Sequence, residues 1–257
     1  MVDESKIHIE TMTSSTDDNL HSLLKNAKIS VDDKNKFAQD MVLSELSSLY
    51  EEYTFATAKD ASLTDDIRRD SNNCNHSEDS LVYGEIDLTG FCQLLNDIPH
   101  TSDDIFYDLG SGSGRAVFAA RFSGDYKECI GIELLENLHQ LASSVQNLYK
   151  FQYQHKLIHQ HVKFVCSDLL NYDGWWTYGT VVYIPNLLFD TVLMDNIAEK
   201  AIHAPRGAYW ICLKRFSSTT TSFDTMFELI QQRLVPMSWG ESNVYVYQRC
   251  YESKEAT

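Results

Sequence analysis

The sequence is short of positive charge. Against 37 Asp and Glu it carries only 21 Lys and Arg, a formal net charge of −16 over 257 residues. Tight binding to a nucleic-acid backbone relies on Lys and Arg displacing condensed counterions, so weak or no direct nucleic-acid binding is expected. A field of this sign suits a basic partner, a Lys/Arg-rich protein or peptide, although acidity by itself also confers solubility. Arg68-Arg69 is too short for a basic nuclear-import signal. Long hydrophobic runs are missing as well. Nothing approaches the roughly 20 apolar residues of a membrane span, and residues 1–30 lack the apolar stretch of a secretory signal. Cysteine pairing is absent: Cys74, Cys92, Cys129, Cys166, Cys212 and Cys250 are scattered, with no C-x-x-C. That excludes the disulfide framework of a small secreted domain and points to a reducing, intracellular setting, cytoplasm or nucleus. With 4 Pro and 11 Gly the chain is neither fibrous nor low-complexity, and 43% apolar residues suffice for a sizeable core. The length fits one α/β domain with an appendage, and no internal repeat is visible.

The chain divides by pattern into four parts. Residues 1–15, rich in Ser, Thr and acidic side chains, read as a disordered tail. Residues 16–80 read as a helical segment followed by an exposed loop. A first helix starts near Asp17 and includes Leu20, Leu23 and Leu24. A stronger one is capped by Ser30 and carries Val42, Leu46, Leu49 and Tyr53 on one face. The polar run 59–80, with Asn72, Asn73 and Asn75, reads as the loop. Residues 81–250 form the main domain and 251–257 a short tail. In the main domain a helix over 86–98 precedes strands at 105–109, 129–132, 162–166, 180–184 and 209–213. Helices follow the glycines near 116, run from 136 to 154, and pass through Leu193 and Ile197. A helix is expected over 225–234 and a last strand over 244–249. Strands alternating with helices predict an α/β, Rossmann-like fold. Its sheet is mostly parallel, with an antiparallel edge strand.

Open parallel sheets bind ligands beyond the carboxyl ends of their strands, so the residues just after each strand matter most. The first strand runs into Asp108-Leu-Gly110-Ser-Gly112-Ser-Gly114. Glycines allow close backbone approach, and the next helix presents its N-terminus. The spacing is G-x-G-x-G, with Arg115 where the dinucleotide G-x-G-x-x-G pattern would diverge. Asp108 would repel a pyrophosphate and attract the cationic aminocarboxypropyl-sulfonium end of S-adenosylmethionine. That weighs against a dehydrogenase. Glu133, at the end of the second strand, suits a ribose diol, a feature shared by nucleotide oxidoreductases and methyltransferases. Asp168 can accept from an adenine amino group while Leu169 packs on the ring. Asn186 and Phe189, after the fourth strand, would face the reactive end of the ligand.

Tyr83-Gly84-Glu85 ahead of this loop, Gly131-Ile-Glu133, Ser167-Asp168, Asn186 with Phe189, and Ser238-Trp239 together resemble a specific family. In order and approximate spacing they follow the disruptor-of-telomeric-silencing (non-SET, Dot1-like) histone lysine methyltransferases, from residue 81 to about 250. The Gly loop is common to many methyltransferases; the Tyr-Gly-Glu element at this spacing is far more specific. The resemblance implies a seven-stranded class I S-adenosylmethionine-dependent methyltransferase sheet over 81–250. It implies that Tyr83, Gly84 and Glu85 belong to a loop closing over the methionine part of the cofactor. Asp108, Gly110, Gly112 and Gly114 would hold the amino-acid moiety, and Arg115 stands where the family uses Gln. Glu133 would bind the ribose, Asp168 and Leu169 the adenine. Asn186 would sit near the sulfonium at the mouth of a lysine channel, and the ring faces of Tyr83, Phe189 and Trp239 could hold the cation. The sequence departs from the family where a late-strand Tyr lines that channel. Alignment through Trp239 puts Val246 there, between Tyr245 and Tyr247.

The expected activity is therefore lysine N-methylation of a histone or, second, of another basic protein. A small-molecule methyltransferase and an inactive adenosyl-cofactor-binding interaction module are the alternatives. No dedicated base is needed, because burial in an apolar channel lowers the acceptor's pKa. His155, His159 and His161 have metal-like spacing, but no Cys or carboxylate completes a set, so no metal is expected. Trp175-Trp176 read as a packed loop anchor.

Overall fold

The computed structural model describes residues 31–66, 77–153, 161–216, 222–237 and 240–250. The helix expected near Asp17, the Ser30 cap, His155, His159 and Ser238-Trp239 lie outside them. Contacts divide the chain into two units, Met1–Met41 and Val42–Thr257. In the first, the described residues 31–41 are helical, the opening part of α1 (Val31–Leu49).

In the second unit the end of α1 buries Leu46 and Leu49 as its apolar stripe predicts. Helix α2 (Phe55–Leu63) follows, started by Thr54, whose hydroxyl accepts the N–H of Thr57 at 3.3 Å. This corrects the start of the expected exposed loop over 59–80, at 59–63; residues 67–76 of that loop lie outside the described ones. The buried face of α2 is made of small residues, Ala58 and Ser62, which pack in without an apolar stripe long enough to register in the sequence. A 3-10 turn (Glu78–Leu81) leads into helix α3 (Leu88–Asn96), capped by Asp87 accepting from the Gly90 N–H.

The α/β order then runs β1 (Ile105–Leu109), α4 (Arg115–Ser123), β2 (Glu128–Glu133), α5 (Glu136–Tyr153), β3 (His161–Cys166), α6 (Trp175–Tyr178), β4 (Val181–Ile184), α7 (Thr191–Ala201) and β5 (Tyr209–Cys212). It ends with α8 (Ser222–Met226), β6 (Phe227–Met237) and β7 (Gly240–Arg249). The strands form one seven-stranded sheet in the order β3-β2-β1-β4-β5-β7-β6. β1 to β5 pair in parallel, whereas β7 pairs antiparallel with both β5 and β6. This is the expected Rossmann-like, mostly parallel sheet with an antiparallel edge. The chain leaves β1 toward β2 and β3 and later returns to β4 on its other side, which opens a crevice beyond the end of β1.

The helix expected over 225–234 is instead an edge strand. Phe227, Ile230 and Leu234 have helical spacing, but Ile230 and Leu234 are 47% and 60% exposed. Burial along β6 alternates residue by residue, with Phe227, Val235 and Met237 turned inward. Pairing with β7 satisfies the backbone groups on that side, and an edge position tolerates Pro236.

Alternate strand residues feed two cores on opposite faces of the sheet. Phe106 and Tyr183 join one with Phe91 and Phe118. Tyr107, Val182 and Ile184 join the other with Trp175 and Trp210. Trp175 is fully buried, and its indole N–H donates to the Leu169 carbonyl at 2.9 Å, as a packed anchor should. Trp176 is half-buried under the Lys200 ammonium. Among the described residues no helix is long and apolar enough to cross a membrane.

Candidate cofactor site

The loop after β1 folds back over the end of β2. The N–H groups of Gly110 and Ser111 both donate to the Ile132 carbonyl, at 2.9 and 3.0 Å. The Gly112 N–H donates to Glu133 Oε2 at 2.7 Å, and Glu133 Oε1 accepts the Leu135 N–H at 2.8 Å. Gly112 has φ +53, and a Cβ there would lie 2.5 Å from the Tyr83 ring. Only glycine leaves room for that ring at this backbone geometry.

The loop borders a cavity of about 610 Å³. Asp108, Gly110, Gly112, Glu133, Asp168, Leu169 and Phe189 all line it. Tyr83, Gly84 and Glu85 cross it as a strap, and Arg115 lines it beside them. The strap is fastened at several points. The Tyr83 hydroxyl donates to Glu85 Oε1 at 2.6 Å and bonds Ser113 Oγ at 2.9 Å. Arg115 Nε pairs with the same Glu85 oxygen at 2.9 Å, and Arg115 Nη2 donates to the Tyr53 carbonyl. Ser80 Oγ donates to the Leu188 carbonyl at 3.2 Å.

Two of the carboxylates that line this cavity are buried. Asp108 is 2% exposed, and its Oδ1 has no hydrogen-bond partner among the described residues. Burial, with the Glu133 charge adding to it, pushes the Asp108 carboxyl well above its ordinary range. Burial raises Glu133 too, opposed by the N–H groups of Leu135 and Gly112. An unpaired, buried carboxylate facing a cavity is costly unless a cation or donor fills the place. Asp168 is differently used, since its Oδ1 accepts the Leu170 N–H at 2.8 Å and shapes the turn.

The family model for the histone methylation protein DOT1 matches residues 67–241, more than half of the chain. The chain belongs to the DOT1 family. It is 25% identical over 203 residues to a histone-lysine N-methyltransferase, H3 lysine-79 specific, of Drosophila melanogaster, covering 77% of this chain and 10% of the relative. It is 29% identical over 133 residues to an enzyme of the same description from Caenorhabditis elegans, covering 50% of this chain and 14% of that one. The DOT1-family chain thus spans a small fraction of the length of these relatives. Among solved structures it is similar to TrmN from Thermus thermophilus, at 17% identity and TM-score 0.47, covering 63% of this chain and 48% of that one.

Three residues singled out in the sequence of this DOT1-family chain stand outside the cavity wall. Gly114 is buried behind it with φ +88, and a Cβ there would lie 2.4 Å from the Phe164 ring; its task is to start α4 against β3. Val246 is buried in the core opposite Ile211, and the Tyr247 hydroxyl accepts the Phe216 N–H. Neither Val246 nor its neighbours Tyr245 and Tyr247 line the cavity.

The third is Asn186, whose side chain is turned into the protein rather than toward a ligand. Its Oδ1 accepts the N–H groups of Leu213 and Lys214 at 3.0 and 2.9 Å, and its Nδ2 donates to the Lys214 carbonyl. It clamps the end of β4 to the end of β5 and thereby fixes Pro185, Leu187 and Phe189, which do line the cavity. Asn186→Ala leaves two backbone donors without their acceptor, so it should cost about 1–3 kcal/mol of stability in a denaturant titration. An Asn186→Ala protein as stable as the wild type would show the clamp to be idle.

The sequence reading missed α2. Phe55 and Lys59, one turn apart on that helix, both line the cavity, and Phe55 stacks on Tyr83 with centroids 5.9 Å apart. The available signal was Thr54 as a helix cap ahead of Phe55.

Proposed function

We propose that this DOT1-family protein binds S-adenosylmethionine beyond the ends of β1 and β2 and methylates a lysine side chain, of a histone first and of another basic protein second. The unpaired Asp108 carboxylate facing a cavity of about 610 Å³ carries this reading. When bound, the cofactor supplies a methyl group already activated on a sulfonium.

Asp108 would accept the ligand's ammonium, which supplies the missing partner. The Glu133 carboxylate, fixed by two backbone N–H groups, would take the ribose hydroxyls with its remaining lone pairs. Asp168 and Leu169 would bracket the adenine. Tyr83 and Glu85 would close the methionine end, held by the Ser113 and Arg115 contacts. Pro185, Leu187 and Phe189 give the remaining wall an apolar character, which desolvates an approaching lysine and favours its neutral, nucleophilic form. The faces of Tyr83 and Phe189 can stabilise the cationic product. Asn186 acts by holding the loop that carries Phe189. On this reading the catalytic domain is 81–250, the segment 16–80 contributes α2 to its cavity, and the net charge of −16 favours a basic substrate in the nucleus or cytoplasm.

Two experiments test it. Thermal melting with S-adenosylmethionine, S-adenosylhomocysteine and NAD should show a shift with the adenosyl ligands alone. A ligand at 100 times its Kd adds about 2.7 kcal/mol. A shift with NAD only would sink the cofactor assignment. Transfer of labelled methyl to core histones, nucleosomes and whole lysate should label a basic protein. Label confined to a small metabolite would refute the lysine assignment, and cofactor binding without transfer would favour a binding module.

A further inference from the structure

Four carboxylates line the cavity, Glu85, Asp108, Glu133 and Asp168, against two cations among the described residues, Lys59 and Arg115. The cations are not equivalent. Arg115 is paired with Glu85 at 2.9 Å, donates to the Tyr53 carbonyl, and lies over the Tyr50 ring, its charged carbon 4.4 Å from the centroid. It ties three segments together: the 50–53 turn, the strap and the start of α4. Its charge is already balanced by Glu85. Lys59 has no ion pair among the described residues, and its ammonium sits 5.9 Å from the centroid of Phe55 one helical turn away. Phe55 stacks on Tyr83, and the Tyr83 hydroxyl reaches Ser113 of the glycine loop. Helix α2 therefore brings an uncommitted cation to the same cavity that the strap and the glycine loop line.

We propose that Lys59 is the group that recognises the carboxylate of a zwitterionic amino-acid ligand in this cavity, while Arg115 is a positioning residue that latches the strap. The proposal rests on the cofactor reading above, because S-adenosylmethionine brings both an ammonium and a carboxylate to the glycine loop. The ammonium belongs at Asp108, the unpaired anion. The carboxylate needs a cation not already neutralised, and Lys59 on its flexible stem meets that condition. A charge-assisted hydrogen bond from an exposed lysine corresponds to about tenfold in affinity.

The test measures Kd by calorimetry on the full chain for two probes, S-adenosylmethionine and its decarboxylated analogue, which keeps the sulfonium and the amine. Lys59→Met should weaken S-adenosylmethionine about tenfold and leave the decarboxylated probe unchanged or tighter, since a like charge has been removed. Lys59→Arg should restore the discrimination. Arg115→Gln should weaken both probes by the same factor, because it loosens the strap rather than removing a carboxylate partner. Equal losses for both probes in Lys59→Met would overturn the assignment. So would a carboxylate-selective loss in Arg115→Gln, which would make Arg115 the receptor. If the wild-type protein binds neither probe, the cofactor reading itself has failed. If it binds both and Lys59→Met changes nothing, only the role of Lys59 has.

Discussion

Asp108→Asn will abolish useful affinity for S-adenosylmethionine and leave the fold as stable as before, or more so. The two effects have one cause. The carboxylate is 2% exposed, and one of its oxygens is unpartnered among the described residues. Its carboxyl is raised by burial first and by the Glu133 charge second. An acid raised in this way contributes stability that is fully present below its unfolded, ordinary carboxylate pKa. That contribution is lost as pH rises through the folded value. An amide never ionises, so the variant escapes that loss. Its stability advantage should grow as pH climbs above the ordinary carboxylate range, as read from chemical denaturation at several pH values. Ligand binding runs the other way. In the proposed binding mode the ionised form holds the cationic end, so wild-type affinity should rise with pH over the same window, with a proton released on binding. Asparagine can do neither, and losing one partner of a buried ionic contact costs about 3 kcal/mol or more, a hundredfold in Kd. Calorimetry in two buffers of different ionisation enthalpy reads both the affinity and the proton. If Asp108→Asn and Glu133→Ala each bind as the wild type does, the ligand sits elsewhere.

Gly114→Ala should cost far more stability than Gly110→Ala. The backbone there has φ +88, where an L side chain is strained by roughly 1–2 kcal/mol. The new Cβ would lie 2.4 Å from the Phe164 ring, which packs against Phe118 and cannot swing freely. Overpacking of that kind adds about 1–3 kcal/mol, so the sum is about 2–5 kcal/mol. For a chain of this size that lowers Tm by roughly 5–15 °C. Gly110→Ala provides the contrast. Its Cβ would stand 3.8 Å from Phe189 and Pro185, in ordinary contact on the cavity side. It should weaken ligand binding more than it lowers Tm beyond its own φ strain. Equal Tm losses for the two would remove the distinction between a glycine needed by the fold and one needed by the site.

The glycine spacing, the carboxylates at strand ends and the Tyr-Gly-Glu element were legible without coordinates because each is a local pattern. Tyr83, Gly84, Glu85, Asp108, Gly110, Gly112, Arg115, Glu133, Asp168, Leu169 and Phe189 all line one cavity. The strands were legible too, since buried parallel strands are short apolar runs. The elements misread were those whose periodicity misleads. Helix α2 buries small residues and leaves Phe55, Leu63 and its charges outward, so its composition looks like a loop. Strand β6 places Ile230 and Leu234 on its exposed face at helical spacing, and only its partner β7 reveals the two-residue alternation.

By itself, then, the sequence determined the α/β class and placed the glycines and carboxylates that line the cavity, because charge type and glycine position are written locally. Where each side chain points was decided only by the tertiary structure. Asn186 follows a strand as a ligand-facing residue should, yet the ends of β4 and β5 come close enough for its amide to satisfy Leu213 and Lys214 instead. Arg115 and Lys59 are both cations near the site, but only the fold of the strap brings Glu85 to Arg115 and leaves Lys59 uncommitted. A buried polar group is assigned by which partners reach it first, and that is a property of packing between segments distant in the chain.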